Sequence, residues 1–296
     1  MPNISIIIST YNRPFMLKSI LSCLDNQTYT DFELILLNDG STDDQTDNIC
    51  KNYCKDNKNS LYIKTEKNFN RPERGLPFAD YVTGKYFTII DDDDYIESNY
   101  LAFLADLAQK NKADIAICGS YLKIHNNLKS KFINDEQINL NKIDALKHLL
   151  KRDLYSSGAP TKLFKTSLYQ AIRKEQPPKE FSKVGGDMLF MYRLFEKADR
   201  IAVHNKPLYH HIRHNSNSSR FVYGDIHWTS EVLHGYLQAY QAREHYLLER
   251  LPCLQADIIA ANIGFMKSMI TRINTNNLKG FDKYISYMQS YIELFS

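Results

Sequence analysis

The sequence predicts an α/β fold, a mostly parallel sheet with helices on both faces, followed by a helical C-terminal extension. Three observations predict it. Short β-branched and aromatic runs at residues 4–9, 32–37, 61–64 and 86–90 alternate with stretches of helical periodicity, the pattern of strand–helix–strand units. Four aspartates, Asp91, Asp92, Asp93 and Asp94, follow directly on the last run, at the strand end where open α/β sheets bind ligands. Beyond about residue 220 glycine becomes sparse and aromatics recur at helical spacing.

Taken in order, residues 4–9 are Ile-rich and short, which suits a buried parallel strand. Thr10-Tyr11-Asn12-Arg13-Pro14 is turn chemistry, and Pro14 opens a helix carrying Met16, Leu17, Ile20, Leu21 and Leu24. The second strand stops at Asn38-Asp39-Gly40-Ser41, and Thr42-Asp43-Asp44 caps a helix through Cys54. After the third strand, residues 68–77 form a polar loop with two prolines. Past the aspartates, helices are expected over 100–111 and 142–152, a strand over 113–121 and a loop or hairpin over 125–136. A further helix over 187–197 carries Met188, Leu189, Met191, Leu194 and Phe195. Near the C-terminus Val232, Leu233, Tyr236, Leu237 and Tyr240 follow helical spacing, as do Tyr284, Ile285, Met288 and Ile292. Helices packed on the preceding domain are the plain reading of that region. A peripheral membrane surface or a homodimer interface is the alternative, because tyrosine on amphipathic helices suits an interface.

Of the 296 residues 43% are hydrophobic and the net charge is +3. That allows a substantial core and gives no electrostatic case for a nucleic-acid partner. The five cysteines (Cys23, Cys50, Cys54, Cys118 and Cys253) are odd in number and scattered, which fits a reducing compartment better than a disulfide framework. Cys50 and Cys54 have no nearby His or Cys partner and read as packed thiols. The first residues have strand character, so a leader is not expected. No apolar stretch approaches the ~20 residues needed to cross a bilayer. The expectation is a cytoplasmic protein whose membrane contact, if any, is at the inner face.

Four adjacent carboxylates oppose one another's ionisation unless a cation sits among them. Hard divalent cations such as Mg²⁺ or Mn²⁺ take carboxylate oxygens and share them with phosphates. The tetrad therefore reads either as a metal site that holds a diphosphate or as a solvated acidic helix cap.

Four stretches in order carry a family resemblance. They are Ile4-Ser5-Ile6-Ile7-Ile8-Ser9-Thr10-Tyr11-Asn12-Arg13, Leu36-Leu37-Asn38-Asp39-Gly40-Ser41-Thr42-Asp43, Asp91-Asp92-Asp93-Asp94, and Gly185-Gly186-Asp187-Met188-Leu189-Phe190. Together they resemble the family 2 glycosyltransferases, inverting enzymes of the GT-A nucleotide-diphospho-sugar transferase fold. The match is close over residues 3–120 and thins toward 220. It implies a catalytic domain over 1–220, with a nucleotide-sugar half at 1–120 and an acceptor half at 121–220. Residues 221–296 are then a helical C-terminal region.

The resemblance also implies roles. Thr10, Tyr11 and Arg13 would meet the nucleotide, and Asp39 would accept the imide N–H of uracil. Asp93 would be the direct ligand of Mn²⁺ or Mg²⁺, with Asp91 toward ribose or a metal-bound water. Asp94 would cap the next helix or hold the donor sugar, and Asp92 fills the motif's variable place. Asp187 would be the general base. Tyr209-His210-His211-Ile212-Arg213-His214-Asn215-Ser216-Asn217-Ser218 looks like a late loop folding over the diphosphate, with Arg213 and His214 as its contacts. Zinc held by His210, His211 and His214 is disfavoured, since adjacent strand residues face opposite ways. Gly158, in a segment resembling an acceptor floor, and Gly186, where relatives carry an acid, are assigned to the acceptor. Arg71 and Arg74 are assigned to the donor, in a stretch that departs from the family's Arg-Asn-x-Gly pattern. The implied activity is transfer of a sugar from a nucleotide-sugar donor, UDP-linked, to a glycan or lipid-linked glycan acceptor in surface polysaccharide synthesis. Two rivals stand beside it. One is a non-catalytic nucleotide- or glycan-binding subunit, and the other is a sugar-nucleotide nucleotidyltransferase, for which Thr10 to Arg13 lacks the glycine-rich loop.

Overall fold

The computed structural model describes residues 3–68, 81–124, 127–130, 132, 135–175, 186–214, 221–222, 225–226 and 229–296. The first half alternates as the patterning predicts: β1 (Ile4–Thr10), α1 (Pro14–Asp25), β2 (Phe32–Asn38), α2 (Asp44–Asp56), β3 (Ser60–Lys64) and β4 (Tyr86–Asp91). These four strands are parallel in the order β3-β2-β1-β4. Pro14 stands in the first turn of α1, and Asp43 caps α2 by accepting the Thr46 N–H at 2.7 Å.

The second half continues through β5 (Tyr95–Ile96), α3 (Tyr100–Lys110), β6 (Ile115–Ile124), β7 (Asn127–Ser130), β8 (Ile138–Asn141), α4 (Lys142–Lys151), β9 (Lys162–Lys165), α5 (Thr166–Arg173), α6 (Gly186–Lys197) and β10 (Arg200–Arg213). β9 enters antiparallel between β4 and β6, and β10 lies parallel to β6. The carboxyl ends of β1, β2, β4 and β10 consequently share one edge of the sheet. A small hairpin, β11 (Phe221–Val222) with β12 (Asp225–Ile226), precedes α7 (Ser230–Arg250), α8 (Gln255–Thr275) and α9 (Asp282–Phe295).

One expectation is corrected. Residues 209–213, assigned to a loop, are the end of β10. The strand passes Pro207 because its pairing with β6 shifts register on both sides of that residue, and a bulge tolerates the missing N–H. β9, α5 and α8 were not anticipated from the sequence pattern.

The sheet separates two apolar layers. Ile4, Ile6, Ile8, Leu34, Leu36 and Ile90 pack against α1, α2 and α3, while Ile7, Ile35, Phe87 and Phe164 face the side of α4, α5, α6 and α7. Among the described residues no helix is long and apolar enough to cross a membrane.

Candidate active site

Sheet register assembles the acids. Ser9 lies beside Asp91 and Thr10 beside Asn38, so the loops after β1, β2 and β4 converge at the carboxyl edge. β10 then fastens onto the acidic turn. The Tyr209 hydroxyl donates to Asp94 Oδ2 at 2.7 Å and accepts the Asp91 N–H at 3.2 Å. The Ile212 N–H donates to Asp94 Oδ1 at 2.9 Å, and His211 Nδ1 lies 3.2 Å from Oδ2. Asp94 is buried, and its carboxylate joins strand to turn. His210 turns instead to Glu97, with Nε2 at 2.7 Å, so the adjacent histidines serve different carboxylates.

Arg13, at the N-cap of α1, reaches across the same turn. Its Nη1 lies 2.8 Å from Asp92 Oδ1 and 2.8 Å from Asp93 Oδ2. His214 Nε2 approaches Asp93 Oδ2 at 3.2 Å. Asp92 is only 3% exposed. Burial pushes its carboxyl above the usual range, with Arg13 opposing. Burial also works against the Arg13 cation, but Asp92 and Asp93 outweigh it and its pKa rises. Asp92 Oδ2 and Thr10 Oγ1 are both buried, and the Thr10 hydroxyl joins Arg13 in favouring the charged form of Asp92. Oxygens of Asp91, Asp93 and Asp94 all lie within 4.8 Å of one another. Three convergent hard donors suit Mg²⁺ or Mn²⁺.

The loops after β1 and β2 are laced by Asn12, which sequence reasoning missed. Its backbone N–H donates to Ser41 Oγ at 3.0 Å. Its Oδ1 accepts the N–H groups of Thr42 at 2.8 Å and Asp43 at 3.3 Å. Asn12 holds φ +51°, a left-handed conformation that Asn tolerates better than most residues. Behind this turn Asn38 Oδ1 accepts the Ser41 N–H at 2.9 Å, while Asn38 Nδ2 donates to the Tyr62 hydroxyl at 3.2 Å. Asp39 is buried, donates its N–H to Thr10 O at 2.9 Å and accepts from Thr65 Oγ1 at 3.3 Å. A Cβ on Gly40 (φ +72°) would come within 2.3 Å of the Lys67 backbone, so only glycine fits there. Tyr11 is 39% exposed at the rim.

On the other half, α6 starts at Gly186 and ends just before β10 begins at the opposite edge, so its first turn, with Asp187, faces the carboxyl edge. The Asp187 side chain lies outside the described residues, as do Arg71, Arg74, Gly185 and residues 215–220. Arg213 closes β10. The loop before β9 reaches the same edge, where Lys162 Nζ donates to Gly158 O at 2.6 Å. Lys162 is fully buried, and Thr161 beside it holds φ +76°, a strained conformation for a β-branched residue. Among the described residues, a Cβ on Gly158 would meet only Pro160, at 3.6 Å. Sequence reasoning missed Lys162, Tyr209 and His211. The period-2 alternation of Tyr209 and His211 was the available signal for the latter two.

The family model for glycosyl transferase family 2 matches residues 5–195. Glycosyltransferase GlyA of Streptococcus pneumoniae is 25% identical over 249 residues, covering 81% of this chain and 34% of that protein. The poly(ribitol-phosphate) beta-glucosyltransferase of Bacillus spizizenii is 29% identical over 206 residues, 68% of this chain and 30% of its own length. The GalNAc(5)-diNAcBac-PP-undecaprenol beta-1,3-glucosyltransferase of Campylobacter jejuni is 31% identical over 119 residues, 39% of this chain and 37% of its own. The chain thus spans about a third of the length of these relatives. Among solved structures, S. aureus TarS 1-349 in complex with UDP-GlcNAc aligns over 98% of this chain and 88% of that fragment, at 18% identity and TM-score 0.63. The mannosyltransferase PcManGT of Pyrobaculum calidifontis, in complex with GDP-Man and Mn²⁺, aligns over 98% and 85%, at 14% identity and TM-score 0.55. These likenesses show the GT-A fold. With the family model matching well over half of its length, the chain belongs to glycosyl transferase family 2.

Proposed function

We propose that the chain transfers a sugar from a UDP-linked donor to a hydroxyl of a surface-glycan or lipid-linked glycan acceptor, with inversion at the anomeric carbon. The observation that carries this reading is the convergence of Asp39, Arg13 and the Asp91, Asp93 and Asp94 oxygens on one sheet edge. The UDP-GlcNAc complex of TarS supports a UDP-sugar donor. The PcManGT complex with Mn²⁺ supports a divalent cation. The polymer and undecaprenol-linked substrates in the relatives' names support the acceptor class.

In this reading Asp39 accepts the imide N–H of uracil, and Tyr11 covers the base or ribose. Arg13, Arg213 and His214 meet the diphosphate, with Arg71 and Arg74 beside the donor. Asp93 would hold Mn²⁺ or Mg²⁺, with oxygens of Asp91 and Asp94 close by, and the cation would supply Lewis-acid stabilisation of the departing diphosphate. Asp187 accepts the proton of the acceptor hydroxyl as that oxygen attacks C1 from the face opposite the diphosphate. One C–O bond forms, the C1–O bond to phosphate breaks, and the nucleoside diphosphate leaves. Gly158 and Gly186 line the acceptor side.

A thermal-shift screen of UDP-sugars with Mn²⁺ or with chelator tests the donor site, because a ligand that binds only the folded chain raises its midpoint. A Mn²⁺-dependent shift is expected with at least one UDP-sugar, and no shift with any nucleotide overturns the reading. Asp187→Asn should keep that shift and lower transfer about 10²–10⁴-fold. Full transfer by the variant removes Asp187 as the base.

A further inference from the structure

We infer that Asp92, at the place the family motif leaves variable, is a positioning residue for Arg13, and that the Arg13–Asp92 pair sets how firmly the Asp91, Asp93 and Asp94 cluster takes a divalent cation. The inference rests on the reading of that cluster as a metal site.

The geometry is specific. A single guanidinium nitrogen, Arg13 Nη1, stands 2.8 Å from Asp92 Oδ1 and 2.8 Å from Asp93 Oδ2. The two carboxylates are not equivalent. The Asp92 side chain is 4% exposed, and its second oxygen is buried on the side of the likewise buried Thr10 hydroxyl. It therefore points into the protein at Arg13 and contributes no atom to the Asp91, Asp93 and Asp94 group. Asp93 belongs to that group and also takes His214. The cation that neutralises the inward acid thus sits on the outward acid that a metal would use.

Electrostatics follow from the placement. A guanidinium centred on Asp93 would compete directly with a divalent cation for the same oxygen, since charges a few ångströms apart interact strongly in a partly buried site. Asp92 takes part of that contact onto itself and holds the guanidinium between the two acids. Arg13 stays charged, its five N–H donors in a planar fork suited to phosphate oxygens. Asp93 meanwhile keeps part of its capacity for a metal. Swinging Arg13 away altogether would strand a buried carboxylate, which is costly, so the pair is a fixed element of the site.

A double-mutant cycle on Mn²⁺ affinity tests this. The full chain is titrated with Mn²⁺ and free Mn²⁺ is read by electron paramagnetic resonance, with and without UDP. The proteins are the wild type, Arg13→Met, Asp92→Asn and the double variant, with Arg13→Gln in place of Arg13→Met if the latter folds poorly. Without UDP, Arg13→Met is expected to tighten Mn²⁺ binding about tenfold and Asp92→Asn to weaken it about fivefold, magnitudes typical of coupled charges. In the Arg13→Met background Asp92→Asn is expected to change Mn²⁺ affinity less than about twofold, because its partner is gone. If Asp92→Asn weakens binding by the same factor in both backgrounds, Asp92 is only a nearby negative charge and the inference fails, with the metal site intact. If no protein takes up Mn²⁺ with or without UDP, the inference falls together with the metal reading.

Discussion

Burial separates the four aspartates that the sequence presents as one run. Asp91 is exposed, Asp93 is intermediate, and Asp92 and Asp94 are buried. Each therefore meets different partners, although all four follow the same strand. A second acid, Asp47 on α2, shows how a residue away from the edge supports it. Asp47 takes Lys51 Nζ at 2.8 Å, Lys64 Nζ at 3.2 Å and the hydroxyl of Tyr62. Asn38, which orients the turn at Asp39, reaches both Asp47 and Tyr62. Lys51, then Tyr62, with Lys64 beside them, hold the Asp47 carboxyl well below the usual carboxylate range. A depressed folded pKa contributes stability above the unfolded value of about 3.9, and that stability is lost as pH falls through the folded value. Asp47→Asn should therefore cost about 1–3 kcal/mol near neutral pH. The gap between variant and wild type should close as the pH is lowered past the folded pKa. Denaturant unfolding across a pH series checks this, and a gap that stays constant into strong acid would remove Asp47 as an ionic hub. Elsewhere burial pushes the Cys50 thiol up to about 12 and Cys54 to about 11, as packed thiols should behave.

Among the elements, the loops that follow β1 and β2 act as one unit because Asn12 ties them together. Asn12→Ala removes the side-chain acceptor for Thr42 and Asp43 and disfavours the left-handed backbone at once. It should weaken Mn²⁺–UDP binding about tenfold, whereas Asn12→Asp, which keeps Oδ1 and tolerates the conformation, should recover most of that loss. Calorimetric titration with UDP and Mn²⁺ decides it, and equal affinities for all three proteins would show that the lacing does not shape the nucleotide site. Such ties explain what the sequence could and could not reveal. β1, β2 and β4 were legible because their Ile- and Leu-rich runs can only be buried, and α1 and α2 because Pro14 and Asp43 mark their starts. The convergence of Asp39 with Asp91 at one edge followed from parallel pairing. β9 escaped notice because lysines flank its two apolar residues, yet Lys162 is fully buried with its ammonium on Gly158 O. The end of β10 looked like a loop because Pro207 interrupts the run and the alternation of Tyr209 and His211 beyond it is short, whereas pairing with β6 makes the strand plain. The contacts of Asn12 with Thr42, and of Tyr209 with Asp94, span 30 and 115 residues, beyond the reach of local periodicity.

At the scale of the whole molecule, the C-terminal helices close the core of the sheet as well as forming a cluster of their own. Ala239, Tyr240, Tyr246 and Leu247 of α7 and Ile258 of α8 belong to the same apolar layer as Phe87, Phe164 and the α6 residues Met191 and Phe195. A second cluster joins Leu233, Met266, Met269 and Met288 across α7, α8 and α9. At the seam Arg243 is fully buried. It bonds the Asn262 side chain and approaches the Tyr192 hydroxyl at 3.4 Å and Met188 Sδ at 3.9 Å. Its guanidinium lies 4.3 Å from the centre of the Tyr240 ring, which stacks on Phe265 at 4.1 Å. Tyr240 thus joins α7 to α8 through its ring, and Arg243 stacked on it carries the contact on to Tyr192 of α6. From this continuous packing the chain is expected to unfold as one cooperative unit rather than as a sheet domain and a separate helical one. Tyr240→Ala should cost about 3–5 kcal/mol, as large aromatic truncations in cores do. The cost should appear as a lower midpoint of the entire calorimetric transition, without a second peak. An early transition that shifts alone, leaving the main one in place, would show that the helices fold independently and that the seam does not couple them to the site.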